Sequence, residues 1–169
     1  MRRIIPFILT LGCVIGIISS CAEDDDCSGN ARKMLTANIM TVISTDSAQW
    51  ETSYTLDVLN IYAFDTDSII INDDINVKTL SLPLRTNVEE TTLVFSYMLH
   101  SGDTLPQQYD KDTIVFRHHN TPYFLTLDCN FVVKQELTDL HYTTHVLDSI
   151  VIVNPTASNN GKENIKIYY

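Results

Sequence analysis

The longest alternation of apolar and polar side chains in this chain is YFLTLDCNFVVK, residues Tyr123–Lys134. A period of two residues places alternate side chains on one face of a β-strand. The shared face contains Tyr123, Leu125, Leu127, Cys129, Phe131 and Val133. The segment therefore predicts one long strand that packs this face on a core, with the Cys129 thiol turned toward that core.

The same period recurs along the chain. Thr91–Leu99 and Val77–Leu84 alternate in this way, and Pro83, which has no N–H to donate, predicts an edge strand or a bulge. Further strands are predicted over residues 36–44, 52–64, 68–72, 112–118, 143–153 and 164–169. Only residues 136–145 would allow a helical turn. About nine short strands predict an all-β fold, an antiparallel β-sandwich of immunoglobulin-like or transthyretin-like type.

The N-terminus has the order of features of a secretory signal peptide. Two arginines begin it, the apolar run Ile4–Ile18 follows, and the small residues Ser19 and Ser20 precede Cys21. A cysteine at the cleavage point resembles that of a bacterial lipoprotein, in which the thiol receives a diacylglycerol and becomes the mature N-terminus. We therefore predict that residues 1–20 are a cleaved lipoprotein signal peptide and that Cys21 is lipidated.

Two alternatives to this interpretation are weaker. A transmembrane helix needs about 20 apolar residues, whereas the run here is short and is interrupted by Pro6 and Gly12. Lipidation at Cys13 would leave too little apolar sequence before the cleavage site, and the residues preceding it suit cleavage less well. Cys21 is the preferred site.

Residues 21–33 are predicted to form the lipidated N-terminus and an acidic tether, and residues 34–169 the β-sandwich domain. The four carboxylates of Glu23–Asp26 repel one another and stay solvated. An acidic run directly after the lipidated cysteine also resembles the surface-export signal of Bacteroidetes lipoproteins. The expected location is therefore the outer membrane, lipid-anchored at the cell surface, with the periplasmic face as the alternative.

Cys27 and Cys129 are the two cysteines that remain once Cys13 leaves with the signal peptide and Cys21 is acylated. In an exported, oxidising compartment two such thiols most simply form a disulfide. The bond would close a loop of about a hundred residues, which the chain-entropy model values at roughly 4–5 kcal/mol. It would pin the tether to the segment that carries Cys129. The alternative is two unpaired thiols.

The charge of the chain limits its partners. It contains 11 basic and 21 acidic residues, a net charge of −10, and loss of Arg2 and Arg3 with the signal peptide makes the mature chain more acidic. Phosphates would be repelled, which argues against nucleic acid and anionic lipid. The expected partners are the membrane, through the N-terminal lipid, and an unidentified envelope protein or glycan.

Metal-binding motifs are incomplete. His141 and His145 are four residues apart and are expected to share a face, but the centre of the zinc-protease motif HExxH requires a glutamate, which is missing here. His118 and His119 are expected to point to opposite faces of a strand. An acidic segment near Asp65 begins like an EF-hand loop but lacks its glycine and its final glutamate, so solvated turns are preferred to an irregular calcium site. No metal or other cofactor is expected.

Catalytic motifs are also missing. The sequence has no GxSxG elbow and no glycine-rich phosphate loop, and a thiol at Cys129 in an apolar strand would be inert. A hydrolase with two carboxylates is left open because sequence cannot place such a pair. The aromatic side chains of Trp50 and Tyr54 could stack on a sugar, although aromatic residues in strands usually pack in cores.

Six stretches carry a resemblance to a known family. They are the lipobox at Cys21 with Cys27, and residues 80–84, 112–116, 123–131, 143–152 and 163–168. Together they resemble a family of uncharacterised Bacteroidetes lipoproteins that share a domain of unknown function, and the resemblance covers nearly the whole chain. A glycine tends to follow the second cysteine in that family, whereas Asn130 follows it here, so the local backbone of the family does not transfer. No catalytic residue transfers either.

The sequence therefore favours a lipid-anchored cell-envelope protein that is not an enzyme and that works as a binding or assembly module. A glycan-binding accessory surface lipoprotein that uses Trp50 and Tyr54 is the alternative.

Overall fold

The structure is a computed structural model that describes residues 32–66, 68–99, 108–127 and 130–169. The predicted signal peptide, the lipidation site Cys21, the acidic tether before Arg32 and the predicted disulfide between Cys27 and Cys129 lie outside these residues. The described residues form ten strands: β1 (Met34–Ser44), β2 (Gln49–Ser53), β3 (Leu56–Ala63), β4 (Ile69–Val77), β5 (Thr79–Pro83), β6 (Glu90–Leu99), β7 (Gln108–Thr126), β8 (Asn130–Tyr142), β9 (Ser149–Ile152) and β10 (Ile165–Tyr168). Within the described ranges, no helix has the length and hydropathy needed to cross a membrane.

The strands form two sheets, which confirms the predicted all-β sandwich. The first sheet has the order β2-β1-β10-β9, with β5 paired to β1 as well, and the second has the order β4-β3-β6-β7-β8. The first half of β1, from Met34 to Asn38, pairs with β5, and its second half, from Met40 to Ser44, pairs with β2. The opposite edge of β1 pairs with β10 in parallel, and every other strand pair is antiparallel.

The core lies between the sheets and follows the two-residue period of the sequence. The first sheet contributes alternate residues of β1, β5 and β10, and the second contributes alternate residues of β3, β6 and β7. The buried set includes Leu35, Ala37, Ile39, Leu80, Leu82, Ile165 and Ile167 from the first sheet, and Leu59, Ile61, Leu93, Phe95, Tyr97, Ile114 and Phe116 from the second. Burial of each large apolar side chain contributes about 1.5–3 kcal/mol to folding.

The prediction of one strand from Tyr123 to Lys134 is wrong. β7 ends at Thr126 and β8 begins at Asn130, so the longest alternation in the sequence runs through a hairpin. Leu127, which was predicted to face the core, is 86% exposed, and Phe131 is 68% exposed. The period continued through the turn because no glycine or proline interrupts it, and the period alone does not indicate whether a second sheet covers the face.

Three further segments differ from the prediction. Residues 136–145, where a helical turn was allowed, are strand as far as Tyr142. The predicted strand over residues 143–153 begins only at Ser149, because residues 143–147 form a loop held by a buried carboxylate. The predicted strand over residues 52–64 is divided between β2 and β3, which belong to different sheets. Pro83, in contrast, ends the edge strand β5 as predicted.

The buried amide of Asn164 joins β1 to the segment between β9 and β10. Its Oδ1 accepts the backbone N–H of Thr36 at 2.9 Å, and its Nδ2 donates to the carbonyl oxygens of Asn154 at 2.9 Å and Thr156 at 2.7 Å. Its side chain is fully buried. Buried polar groups must find such partners, so this one amide satisfies three backbone groups that water cannot reach.

Asn164→Ala is therefore expected to lower the free energy of unfolding by about 2–5 kcal/mol, because one N–H and two carbonyl groups lose their partner. Urea unfolding followed by circular dichroism measures this change. Asn87→Ala, at an exposed loop position, is the control and should change stability by less than about 0.5 kcal/mol. Equal effects of the two substitutions would contradict the assigned role of Asn164.

Candidate functional site

The side chains of Trp50 and Tyr54 lie on one face, Trp50 within β2 and Tyr54 directly after it. Trp50 is 48% exposed, and its cross-strand partner Ile43 is also exposed. Tyr54 follows Trp50 by four positions, a distance of about 14 Å along an extended strand. We call Ile43, Trp50 and Tyr54 the β2 strip. The structure therefore leaves both predicted contact residues accessible on one side of a strand.

The ring of Tyr54 is partly used in packing. It stacks on Tyr169 with a centroid distance of 5.9 Å, and Tyr169 meets Tyr97 edge to face at 5.7 Å. The hydroxyl groups of Tyr97 and Tyr169 are hydrogen-bonded at 3.0 Å. Burial raises the pKa of both phenols, so they stay protonated at physiological pH. Of the β2 strip, Trp50 is consequently the aromatic side chain without a described ring partner.

A groove of about 360 Å³ lies on the other face of the first sheet from Trp50, because Val42 and Glu51, which line it, alternate along their strands with Ile43 and Trp50. Its lining is a mixture of apolar and polar side chains: Val42, Glu51, Asp148, Ser149, Val151 and Tyr168. Glu51 accepts a hydrogen bond from Lys166 Nζ at 2.6 Å and another from the Tyr168 hydroxyl at 3.0 Å. The hydrogen bond from Lys166 is the main reason that the pKa of Glu51 is lowered.

The carboxylate of Asp112 is fully buried, yet it is ionised. It accepts hydrogen bonds from the Thr143 hydroxyl at 2.7 Å and from the backbone N–H groups of His145, Val146 and Leu147 at 2.7, 2.9 and 3.0 Å. Burial alone would raise the pKa of Asp112, but these donors, with the N–H of His145 the strongest, outweigh it and hold the pKa below its ordinary value. Asp112 therefore acts as a clamp for the loop of residues 143–147.

The imidazole of His118 is also buried and also structural. Its Nδ1 lies 3.0 Å from Asn120 Oδ1, and its Nε2 lies 2.9 Å from the Thr91 hydroxyl. Asn120 Oδ1 can only accept, so Nδ1 carries the proton of the neutral ring, and Nε2 accepts from the Thr91 hydroxyl, which itself accepts the N–H of Arg85 at 2.8 Å. Burial lowers the pKa of His118 and outweighs the hydrogen bond to Asn120, which would raise it. The ring is therefore neutral near pH 7.

The amides of Asn120 and Gln135 extend this network to a loop. Asn120 Nδ2 donates to the carbonyl oxygens of Arg85, Thr86 and Val88, the last at 2.6 Å. Gln135 Nε2 donates to the carbonyl of Arg85 at 2.8 Å and to Asn120 Oδ1 at 3.1 Å. The network thus fixes the loop of residues 84–89 to β7 at Asn120 and to β8 at Gln135.

The other histidines do not converge. His141 lies on β8 beside Asp139, whereas His145 lies in the following loop beside Asp112, so the prediction that the two histidines share a face is wrong. His118 is buried and His119 is exposed beside Glu89, which confirms that they point to opposite faces. In the part of the chain that the structure describes, no three His, Cys, Asp or Glu side chains form a metal-ligand group.

Sequence reasoning missed Asp112 and the groove, and it gave no role to the buried His118. The signal for Asp112 and His118 was present, because Asp112, Ile114, Phe116 and His118 share one face by the two-residue period. Two polar side chains on a core-facing set predict buried polar groups with dedicated partners. The groove had no comparable signal, since β2, β9 and β10 are far apart in the sequence.

Asp112→Asn is expected to lower the free energy of unfolding at pH 7 by about 3 kcal/mol, because the new NH₂ group faces backbone donors instead of accepting from them. Since the folded-state pKa of Asp112 is lowered, its contribution is present above about pH 4 and is lost as the pH falls through the folded-state value. The difference in stability between wild type and variant should therefore shrink below about pH 4. Urea unfolding between pH 7 and pH 3 measures it.

The exposed Asp139→Asn is the matched control, because this carboxylate lies on the surface of β8. A wild-type advantage over Asp112→Asn that stayed constant with pH would show that the charge of Asp112 is not what the loop requires.

Comparison with known proteins adds a family. No curated protein matches the chain, and no solved structure matches it. Residues 58–169, about two thirds of the chain, match the model of a family of unknown function, DUF6452. This match confirms the expectation of an uncharacterised family, and the chain therefore belongs to the DUF6452 family.

Proposed function

We propose that this chain is a lipid-anchored protein of the bacterial cell envelope that works as a non-enzymatic binding or assembly module. The proposal rests on one contrast among the described residues, between buried polar side chains that hold loops and large apolar side chains that are exposed. The buried side chains of Asp112 and His118 are engaged in hydrogen bonds that fix loops, whereas large apolar side chains such as Trp50 and Phe131 are exposed. Such exposure suits a surface that contacts a partner.

The anchoring part of the proposal rests on the sequence up to Cys21. Arg32 follows Cys21 by eleven positions, and its guanidinium donates to the Leu84 carbonyl at 2.9 Å. An extended chain of that length reaches at most about 40 Å. A lipid on Cys21 would therefore hold the domain close to a membrane. We propose that this membrane is the outer membrane of a Bacteroidetes cell and that the domain lies on the cell surface.

A disulfide between Cys27 and Cys129 is compatible with the positions of their described neighbours. Cys27 precedes Arg32 by five residues, and Cys129 precedes Gln135 by six. Arg32 and Gln135 bind neighbouring carbonyl groups, those of Leu84 and Arg85. Asn130, next to Cys129 in the sequence, lies about 17 Å from Gln135 along β8, and five extended residues before Arg32 reach about 18 Å, so the disulfide requires residues 27–32 to run extended along β8.

Glycan binding is the second candidate, and the exposed ring of Trp50 favours it. An exposed indole on a β-strand can stack on a sugar ring. The groove lined by Glu51, Asp148 and Ser149 lies on the other face of the sheet and is not part of this candidate site. A hydrolase has less support, since Asp112 is the buried carboxylate of the described residues and its oxygens are taken by the 143–147 loop.

Cys21→Ser is expected to abolish anchoring. In cells that produce the full chain, the wild type should sediment with the outer membrane and carry the mass of a diacylglycerol on Cys21, whereas the variant should not. Protease treatment of intact cells should remove the wild type if the domain faces outward. Fractionation, mass spectrometry and immunoblotting of intact and lysed cells measure these outcomes.

Cys13→Ser is the control for the position of the lipid and should behave as wild type. A wild-type protein without lipid would overturn the anchoring proposal. Survival of lipidated protein on protease-treated intact cells would instead overturn the surface location and place the domain in the periplasm.

Trp50 is the one tryptophan of the chain, so its fluorescence reports directly on the β2 strip. The leading proposal predicts no saturable change in emission with a panel of polysaccharides. The glycan candidate predicts a saturable change, together with loss of binding by calorimetry in Trp50→Ala and unchanged binding in the exposed control Phe64→Ala. The first result removes the glycan candidate, and the second replaces the leading proposal with it.

A further inference from the structure

The hairpin of β7 and β8 extends beyond the rest of the second sheet. β6 pairs with β7 from Gln108 only as far as Arg117, whereas β7 continues to Thr126 in pairing with β8 alone. The network of Asn120 and Gln135 fixes the start of this extension to the loop of residues 84–89. We call residues 121–127 and 130–134 the tip ribbon. It projects by about 17 Å, the length of five residues in a strand.

One face of the tip ribbon carries two successive apolar cross-strand pairs. Phe124 lies opposite Phe131, with ring centroids 5.6 Å apart in an edge-to-face arrangement, and Pro122 lies opposite Val133. Phe124 is 52% exposed, and Leu127 and Phe131 are exposed still further. Isolated exposed apolar residues are ordinary, but a contiguous group at the end of a projecting hairpin is typical of an interaction site.

The charge of the ribbon distinguishes it from the rest of this acidic chain. Its described residues contain no carboxylate, and Lys134 is their one ionisable side chain apart from Tyr123. In the sequence, Asp128, one residue after Leu127, is the nearest acidic residue. Residues 22–31, which precede Arg32 in the sequence, are polar and acidic, so they do not match an apolar face. A lipid surface matches it better.

The position of the ribbon favours the membrane as its partner. Arg32, where the described chain begins, binds the Leu84 carbonyl, and Gln135, at the base of the ribbon, binds the adjacent Arg85 carbonyl. The described chain therefore begins at the end of the domain that carries the tip ribbon, and a lipid on Cys21 would be attached to the domain from that end. Trp50 is at the opposite end, because β1 runs from Met34 at the ribbon end to Ser44, next to β2.

We propose that the tip ribbon inserts the side chains of Phe124, Leu127 and Phe131 into the interfacial region of the bilayer that holds the lipid on Cys21. This inference rests on the anchoring part of the proposed function. Aromatic side chains favour the membrane interface, and a second contact adds to a lipid anchor by raising the effective concentration of the ribbon at the surface. The contact would orient the domain with Trp50 away from the membrane.

The test uses tryptophan fluorescence in two full-length, lipidated proteins reconstituted into phosphatidylcholine–phosphatidylethanolamine vesicles that contain brominated phosphatidylcholine. One is the wild type, in which Trp50 reports on the far end, and the other is the double variant Trp50→Phe, Phe131→Trp. We expect the brominated lipid to quench the indole at position 131 at least threefold more strongly than the indole at position 50.

Two further variants make the result specific. Adding Phe124→Ser and Leu127→Ser to the double variant should abolish the quenching at position 131, whereas adding Ile75→Ser, at an exposed site of β4, should not. Unfolding midpoints establish that each protein is folded. If Phe131→Trp does not fold, Leu127→Trp replaces it, since Leu127 is more exposed.

Failure of anchoring and failure of insertion give different results. A protein without lipid on Cys21 by mass spectrometry, or one that does not float with vesicles, contradicts the anchoring proposal. A lipidated protein that floats with vesicles while the indole at position 131 is unquenched overturns the ribbon inference alone. A blue-shifted but unquenched indole, with a dimer by sedimentation in detergent, would assign the apolar face to a second copy of the chain and would overturn it too.

Discussion

The structure depends on the backbone pairing of β1, which holds the whole first sheet together. Its first half binds β5 and its second half binds β2 along one edge, while β10 binds the other edge in parallel. The chain termini of the domain are therefore locked side by side, with Asn164 satisfying the backbone groups around this junction. Because β1 begins at the end of the sandwich that also carries the β7–β8 hairpin, this pairing decides where the N-terminal segment, and any lipid on it, meets the domain.

The buried polar side chains fix loops of this architecture, and several large apolar side chains remain exposed on the surface. Asp112 replaces hydrogen bonds that the 143–147 loop cannot make within a strand, and the pair of His118 and Asn120 does the same for the loop of residues 84–89. In each case a polar side chain lies at a strand position whose side chain faces the core. The cost of burying it is offset by complete hydrogen bonding. Both loops are thereby fixed at the ends of the sandwich, where the exposed surfaces lie.

The two exposed surfaces, the β2 strip and the tip ribbon, lie at opposite ends of the domain, so its two ends differ. The β2 strip and the groove are at the end away from Arg32, and the tip ribbon is at the end near it. A lipid-anchored domain with this arrangement would hold one end at the bilayer and present the other to its surroundings. The same geometry would leave Trp50 and the groove available to a partner while the ribbon is occupied by lipid. The family match begins at Val58, so it includes the tip ribbon but not the β2 strip.

By itself the sequence determined the fold class and the faces of most strands, because a two-residue period with β-branched and aromatic residues suffices for both. The period assigns the core-facing side chains of Thr91–Leu99 and of the strands that contain Ile39 and Ile167. The exposure of Trp50 follows from its position near a turn. The tertiary structure decided what the period cannot encode. Whether an apolar face is core or surface depends on what packs against it, and Phe124 and Phe131 stay exposed in the part of the hairpin beyond Arg117, where the pairing of β6 with β7 ends. The stacking of Tyr54 on Tyr169 and the clamp of Asp112 likewise join residues that only long-range strand pairing brings together.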